Sequence, residues 1–469
     1  MLVGRKSEIN ILSAAKQNKK AELIAVYGRR RVGKTYLIRE YFKKEIVFEV
    51  AGLFQGGLLD QLQNFSNEIK IRDKKIKEAT PQNWLEAFGQ LEKYLNKLKG
   101  KKKKVVFIDE FPWLATSKSR FLMAFSNFWN QYASRRNDMI VVICGSAASY
   151  MVKNILNNKG GLHNRITSSI RLLPFNLSET ALFLKSKGIR YSLYDTLQIY
   201  MAIGGIPHYL DKLKKGKSVA QNIDKLCFSK DGFLREEYKR LFVSLFDNSE
   251  KHLAILKTLS KCNIGITRQQ LISQSKISSG GDFSLKLEEL IVSGFVSEYN
   301  YYKNKKKLGL YRLSDEYSMF YLKFIQPHDG SGAGTWQKIC RKQSYISWSG
   351  FSFETLCLKH VPQIKKALGI EAVYANNSSW FNENAQIDLL LDRDDNIINL
   401  CEIKFYKSVF VIDKKTYLNL INKMNEFTQE TSTRKSIHIV LLTTHGIKPN
   451  EYSSEIIQNT LDMNCLFEF

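Results

Sequence analysis

The clearest chemistry in the chain lies in eight residues, Gly28-Arg29-Arg30-Arg31-Val32-Gly33-Lys34-Thr35. Glycines at both ends of a short loop let backbone N–H groups turn inward around phosphate oxygens. A lysine directly after the second glycine reaches the β- and γ-oxygens, and the next hydroxyl ligates Mg2+. The spacing predicts a site for ATP and Mg2+, with Tyr36, at the start of the following helix, counted among the nucleotide-binding residues. A partner motif is required, and Val105-Val106-Phe107-Ile108-Asp109-Glu110 supplies it. Asp109 is expected to hold Mg2+ through water, and Glu110 to orient and deprotonate the attacking water. Another apolar run, Ile140–Cys144, ends in Gly145-Ser146. The Ser146 hydroxyl is either a sensor of the γ-phosphate or ordinary turn chemistry. Arg165 follows Gly160-Gly161 and is either an arginine finger offered to a neighbouring subunit or a surface arginine.

A second group of charged residues lies near the end of the chain. Two strand-like runs, Gln386–Leu391 and Ile397–Lys404, flank Asp394-Asp395-Asn396. With those three residues as the hairpin loop, Asp388 falls directly opposite Glu402, and Lys404 shares the Glu402 face. Opposed carboxylates repel unless a cation sits between them, which suits a Mg2+ site with Lys404 beside it to orient or activate a water. Glu354 falls on the helical stripe 351, 354, 358, 361. Its plainer reading is a first-turn glutamate behind Ser352, favoured by the helix dipole. The plainer reading of the trio is a solvated hairpin face.

These side chains need elements to hold them. Residues 1–175 alternate short β-branched runs (Leu23–Tyr27, Ile46–Val50, Val105–Asp109, Ile140–Cys144) with longer amphipathic stretches, and Arg171–Phe175 reads as a further strand. Such alternation predicts an α/β fold, a parallel sheet covered by helices. Residues 176–245 read as mostly helical, broken at Gly204-Gly205-Ile206-Pro207. Between 250 and 325, helices at His252–Ser260, after Ile266-Thr267, and near Leu285–Ser293 precede two strands, Gly294–Tyr299 and Leu308–Leu313. Three helices and a β-ribbon make a winged-helix pattern. Its last helix offers Lys286 against Glu288 and Glu289, poor equipment for reading base edges. Its wing, Tyr301, Tyr302, Lys303 and Lys305–Lys307, suits phosphate contact without sequence readout, or alternatively packing against another subunit. Gly330-Ser331-Gly332-Ala333-Gly334 is the clearest linker, and 335–469 reads helix–strand–strand–helix–strand.

Taken together, Val3-Gly4-Arg5, the triple-arginine loop, the Asp109-Glu110 strand, Gly145-Ser146 and Gly204-Gly205-Ile206-Pro207 resemble a prokaryotic AAA-type ATPase family related to origin-recognition and signalling ATPases. The resemblance implies an ATPase core with helical lid over 1–245, a winged helix over 246–329 and a nuclease-like domain over 335–469. It also implies possible homo-oligomers. Asp388 with Glu402-x-Lys404 resembles the PD-(D/E)xK nuclease pattern, which implies a restriction-endonuclease-like α/β fold and metal ligation by Glu354, Asp388 and Glu402. Ser146 departs from the family, where asparagine is common, and no proline precedes Asp388.

Composition bounds the partners. The 469 residues carry 71 Lys+Arg against 45 Asp+Glu, a net charge of +26. Residues 331–469 hold 15 of each sign, so the whole excess lies in the first 330. A nucleic-acid partner is therefore expected to be captured by the first two-thirds, although Lys97–Lys104 also reads as a solvated loop. No apolar run is long enough to span a bilayer, the first residues do not read as a signal peptide, and seven scattered cysteines read as reduced thiols, so a cytoplasmic location is expected. Two functions follow. One is ATP hydrolysis coupled to a nuclease-like domain on nucleic acid. The other is a signalling-type ATP switch controlling assembly, with the C-terminal domain an inactive interaction module.

Overall fold

Strands covered on both faces of a parallel sheet must be apolar throughout rather than alternating. In the computed structural model, which describes all residues except 1, 76–77, 117, 158–159, 247, 263, 303–308 and 469, the central runs have that character. Strands β1 (Glu22–Tyr27), β2 (Ile46–Ala51), β3 (Lys104–Asp109), β4 (Met139–Gly145) and β5 (Ser168–Arg171) form one sheet in the order β2-β3-β4-β1-β5, every pair parallel. β3 and β4 are buried along their whole length. One face packs Leu23, Val106, Ile108, Val141 and Ile143 against an aromatic cluster of Phe65, Trp84, Phe88, Phe121 and Phe125. Residues 1–174 with 244–247 make up this first compact unit.

The order of strands explains where chemistry can gather. β1 and β3 are not neighbours; β4 lies between them. The loop after β1, the carboxylates ending β3 and the turn ending β4 therefore emerge side by side at the carboxyl edge, where open α/β sheets bind ligands. The fifth strand is displaced from the expected Arg171–Phe175 to Ser168–Arg171. Pairing extends only as far as Leu172 N–H to Tyr27 O (2.7 Å), and Pro174 has no N–H with which to continue a ladder.

The second unit comprises residues 175–243 and 248–469. Its sheet has eight strands: β6 (Ile266–Thr267), β7 (Val296–Tyr301), β8 (Gly309–Leu313), β9 (Ala375–Phe381), β10 (Gln386–Arg393), β11 (Ile397–Lys404), β12 (Ser436–Thr443) and β13 (Ile457–Asp462), in the order β13-β12-β11-β10-β9-β7-β8-β6. The β10–β11 register, Leu389 opposite Cys401 and Leu391 opposite Asn399, is the one expected from the Asp394–Asn396 turn, with Asn396 at φ +67°. The expected wing is not a projecting ribbon. β7 pairs in parallel with β9 (Asn300 with Ser378, Tyr301 with Ser379), so the β7–β8 hairpin continues the C-terminal sheet. Tyr302 is buried beside Trp380 and Phe427, and Tyr301 donates its hydroxyl to Phe381 O (2.7 Å). Tyr302 is packed inside the chain, and the half-buried Tyr301 commits its hydroxyl to Phe381 O. The wing lysines, Lys303 and Lys305–Lys307, lie outside the described residues.

Gly204-Gly205-Ile206-Pro207 ends the helix Leu193–Ile203 and starts the turn Pro207–Leu210. Phe175 N–H donates to Gly205 O (2.7 Å), which brings the two backbones together so closely that a Cβ on Gly205 would stand 1.9 Å from Phe175 O. Backbone on one side and the Tyr200 ring on the other leave no flexible atom to move aside. Gly205→Ala is therefore expected to destabilise the second unit by about 3 kcal/mol, at the upper end of overpacking costs. Chemical denaturation of the full chain reads it as a shifted midpoint, whereas an unchanged midpoint contradicts the packing.

Candidate functional site

The loop between β1 and the helix Lys34–Tyr41 is built by its glycines. Gly28 has φ +149°, and a Cβ there would meet Leu172 O at 2.3 Å. Gly33 has φ +94° and Arg31 φ +71°, left-handed values that turn successive N–H groups toward one point. Arg5, itself at φ +61°, braces the loop from below. It donates to Val32 O (3.1 Å) and Leu173 O (2.7 Å) and is almost fully buried. The sequence carried Arg5 only as part of a resemblance; its structural work is to fix the loop carbonyl.

Five of the expected residues converge. Lys34 Nζ donates to Gly28 O and Arg29 O (2.9 Å each) and to Ser146 Oγ (3.2 Å). The Ser146 hydroxyl donates onward to Glu110 Oε1 (2.7 Å), and its N–H reaches Glu110 Oε2 (3.3 Å). Thr35 Oγ1 donates to Asp109 Oδ2 (2.6 Å), and Asp109 Oδ1 accepts the Glu110 N–H (2.9 Å). Lys34, Asp109 and Ser146 are buried. Burial holds the Lys34 ammonium below its ordinary pKa, opposed by the nearby Cys144, Glu110 and Asp109. Glu110 sits at φ +44°, a strained position for a side chain and one that recurs at working sites.

The donors fit the group that the motif implies. A hydroxyl and a carboxylate in contact offer hard oxygens to Mg2+, and the inward-turned loop with Lys34 offers positive charge to phosphates. The remaining candidates stand further out. Arg29 is buried in the loop; Arg30 lies 5.7 Å from the Trp113 ring centre; Tyr36 is 53% exposed. Arg165 is exposed in the turn before β5 and makes no hydrogen bond or ion pair with this group among the described residues. Trp113, three residues beyond Glu110, was not foreseen; the Asp-Glu-Phe-Pro-Trp run placed it beside the loop.

The C-terminal acids meet different company. Both oxygens of Glu402 are taken, Oε1 by Lys404 Nζ and Oε2 by Lys423 Nζ, each at 2.7 Å. Glu354 Oε1 accepts from Arg312 Nη2 at 2.5 Å. Asp388 accepts from Gln386 Nε2 (3.2 Å). Burial, then the charges of Glu354 and Glu402, push the Asp388 carboxyl well above its usual range. Burial alone would raise Glu402 too, yet Lys404 and Lys423 hold it below. Among the described residues no group of three or more His, Cys, Asp or Glu is arranged to hold a metal ion. The residues present do not fit the divalent cation expected at Glu354, Asp388 and Glu402: Glu402 gives both oxygens to Lys404 and Lys423, Glu354 gives one to Arg312, and burial disposes the Asp388 carboxyl to keep its proton. Glu354 also lies deep in the helix Gln343–Lys359 and not in a first turn after Ser352.

The sequence carried a signal for Lys423 and Arg312, although neither was foreseen. Lys423 lies on the stripe of Leu420 and Phe427, both buried, in the helix Lys414–Thr431. Arg312 shares the inward face of β8 with Leu310. A basic residue on an apolar stripe points at an inward acid.

Comparison with known proteins finds a likeness to ATPases. Residues 2–213 match a family described as an ATPase domain predominantly from Archaea, and residues 321–417 match one described as Archaea bacterial proteins of unknown function. An uncharacterized protein of Methanocaldococcus jannaschii is 26% identical over 428 residues, covering 90% of this chain and 92% of its own. An uncharacterized ATP-binding protein of the same organism is 47% identical over 45 residues, 10% of this chain and 76% of its own. The Walker-type ATPase paby2304 of Pyrococcus abyssi shares the fold, with a TM-score of 0.50 at 16% identity over 68% of this chain and 96% of that one. The match over residues 2–213 is to an archaeal-type ATPase domain, and the fold is α/β with a parallel sheet. Among the described residues no helix is long and apolar enough to cross a membrane.

Proposed function

We propose that the chain is an ATP switch: it binds ATP with Mg2+ at Gly28–Thr35, hydrolyses it, and uses the difference between the two states to control assembly or partner binding by the second unit. The observation that carries the reading is Ser146, whose hydroxyl joins Lys34 to Glu110. Thr35 and Asp109 would hold Mg2+, which supplies charge neutralisation on the phosphates. Lys34 would exchange its loop carbonyls for phosphate oxygens. A γ-phosphate competing for the Ser146 hydroxyl would release Glu110, leaving its carboxylate free to take a proton from the attacking water. In this scheme Ser146 reports the bound state to the catalytic base. Arg165, exposed, is offered to a neighbouring copy, and the location is cytoplasmic.

The reading of 246–329 as a winged helix is supported by the helices Glu250–Leu259, Arg268–Ser275 and Gly281–Val292 ahead of β7–β8. That of 335–469 as a diverged nuclease-like fold is supported by the β10–β11 register. The two lysines on Glu402 favour an interaction module over an active nuclease. A second reading, nucleic acid as the partner, is supported by a cleft of about 820 Å3 in the first unit, bordered by Lys16, Lys19, Lys101, Lys102 and Lys103. ATP turnover measured with and without DNA or RNA separates them. The switch reading expects turnover unchanged by nucleic acid and nucleotide-dependent assembly. Strong stimulation supports the second reading. Lys34→Ala is expected to abolish ATP binding and turnover in either case, and retained turnover would remove the site assignment.

A further inference from the structure

Carboxylates gathered inside a protein need positive charges, from an ion or from the chain, unless they keep a proton. Here the chain supplies them for Glu354 and Glu402, while burial and the two neighbouring acids push the Asp388 carboxyl up. Arg312, on β8 of the hairpin, is 4% exposed and donates to Glu354 at 2.5 Å, while its guanidinium carbon lies 4.9 Å from the Phe351 ring centre and 5.7 Å from that of Tyr299. Lys404 and Lys423 each take one oxygen of Glu402. The space left among Tyr299, Arg312, Glu354, Gln386 and Asp388 is about 10 Å3, on the order of a single water. Mg2+ demands six oxygen ligands and gives up its waters reluctantly. An arginine fork stacked between aromatic rings is, by contrast, well suited to such a place.

We propose that Arg312 is the resident cation of the carboxylate cluster: the β7–β8 hairpin inserts its guanidinium where a metal-dependent nuclease would hold its ion, and the cluster serves as a socket that locks the hairpin to the C-terminal sheet. A second, independent join runs along the backbone, where β7 pairs with β9 at Asn300–Ser378 and Tyr301–Ser379. Hairpin and sheet therefore move as one body, and the strand bearing Arg312 cannot swing out to a nucleic-acid groove without unpairing a buried charge. The inference is independent of the ATP reading, since none of these residues belongs to the phosphate loop.

Mn2+ titration of the full chain without nucleotide, read by electron paramagnetic resonance, tests it. Wild type and Asp388→Asn are expected to bind the same number of Mn2+ ions, because the cluster contributes no site. Arg312→Gln is expected to gain one weak site, which Asp388→Asn in the same chain removes. ATP turnover and circular dichroism establish that each variant is folded. Wild-type Mn2+ binding that Asp388→Asn abolishes overturns the proposal, as does a folded Arg312→Gln that gains none. Where Arg312→Gln does not fold, the wild-type against Asp388→Asn comparison decides alone. Plasmid cleavage by wild type with Mn2+, lost in Asp388→Asn, would also overturn it.

Discussion

Glu110→Gln is expected to lower ATP turnover by about a hundredfold to ten-thousandfold, the range that a positioned general base contributes, while ATP binding is retained. The substitution removes the proton acceptor and, with the second oxygen, the longer contact from the Ser146 N–H (3.3 Å). A glutamine oxygen still accepts the Ser146 hydroxyl, the backbone at φ +44° is unchanged, and the Glu110 N–H still reaches Asp109. Ser146→Ala gives the contrasting result. It removes the hydroxyl that the γ-phosphate would engage but leaves the base in place, so a smaller loss is expected, on the order of tenfold, as for one lost hydrogen bond of about 1.4 kcal/mol. Single-turnover kinetics with nucleotide binding measured separately distinguishes the two. Equal losses in both variants would make Ser146 a structural support, and normal turnover in Glu110→Gln would mean that another group activates the water.

The cluster around Lys34 was legible because its parts are local. Gly28–Thr35 is contiguous, and Asp109-Glu110 and Gly145-Ser146 each end an apolar run, so a rule about strand ends was enough to bring them together. The hairpin register was legible for the same reason: a tight turn fixes which residues face each other. The second unit resisted where contacts span long stretches of sequence. β9, Ala-Asn-Asn-Ser-Ser-Trp-Phe, carries four short polar residues that favour turns, and only its neighbours β10 and β7 make it a strand. Arg312 and Glu354 are 42 residues apart and meet only because β7 joins β9 across the glycine-rich segment 330–334. Read along the chain, an acid opposite an acid asks for a metal. Packed, it finds three basic side chains, two of them from elements outside the hairpin.

Acid is expected to weaken the second unit through one buried histidine, by about 3 kcal/mol between pH 6.5 and pH 4. His360 Nδ1 donates to Leu356 O (2.9 Å), and Nε2 accepts the N–H of Leu177 (3.3 Å), so both nitrogens are committed and the ring is neutral. A proton added at Nε2 would face that N–H, with no acceptor to take it. Burial, with a further push from the Lys359 charge and a partial offset from the Leu356 carbonyl, lowers the pKa to about 4. The folded value lies below the ordinary 6.5, so as pH falls through 6.5 the unfolded chain takes up its proton first. The stabilisation is fully present above pH 6.5 and is lost progressively as pH falls toward 4. Other carboxylates also respond in this range, which makes the difference between two proteins the useful quantity. Urea unfolding of wild type and His360→Leu, measured at pH 7 and pH 4.5, is expected to show a shallower acid loss in the variant, even though the variant starts lower at pH 7 because the Leu177 N–H has lost its acceptor. Parallel losses in the two proteins would mean that His360 is protonated in the folded chain, and the contact joining the Leu177–Ser186 helix to the C-terminal segment would then have to be carried by other groups.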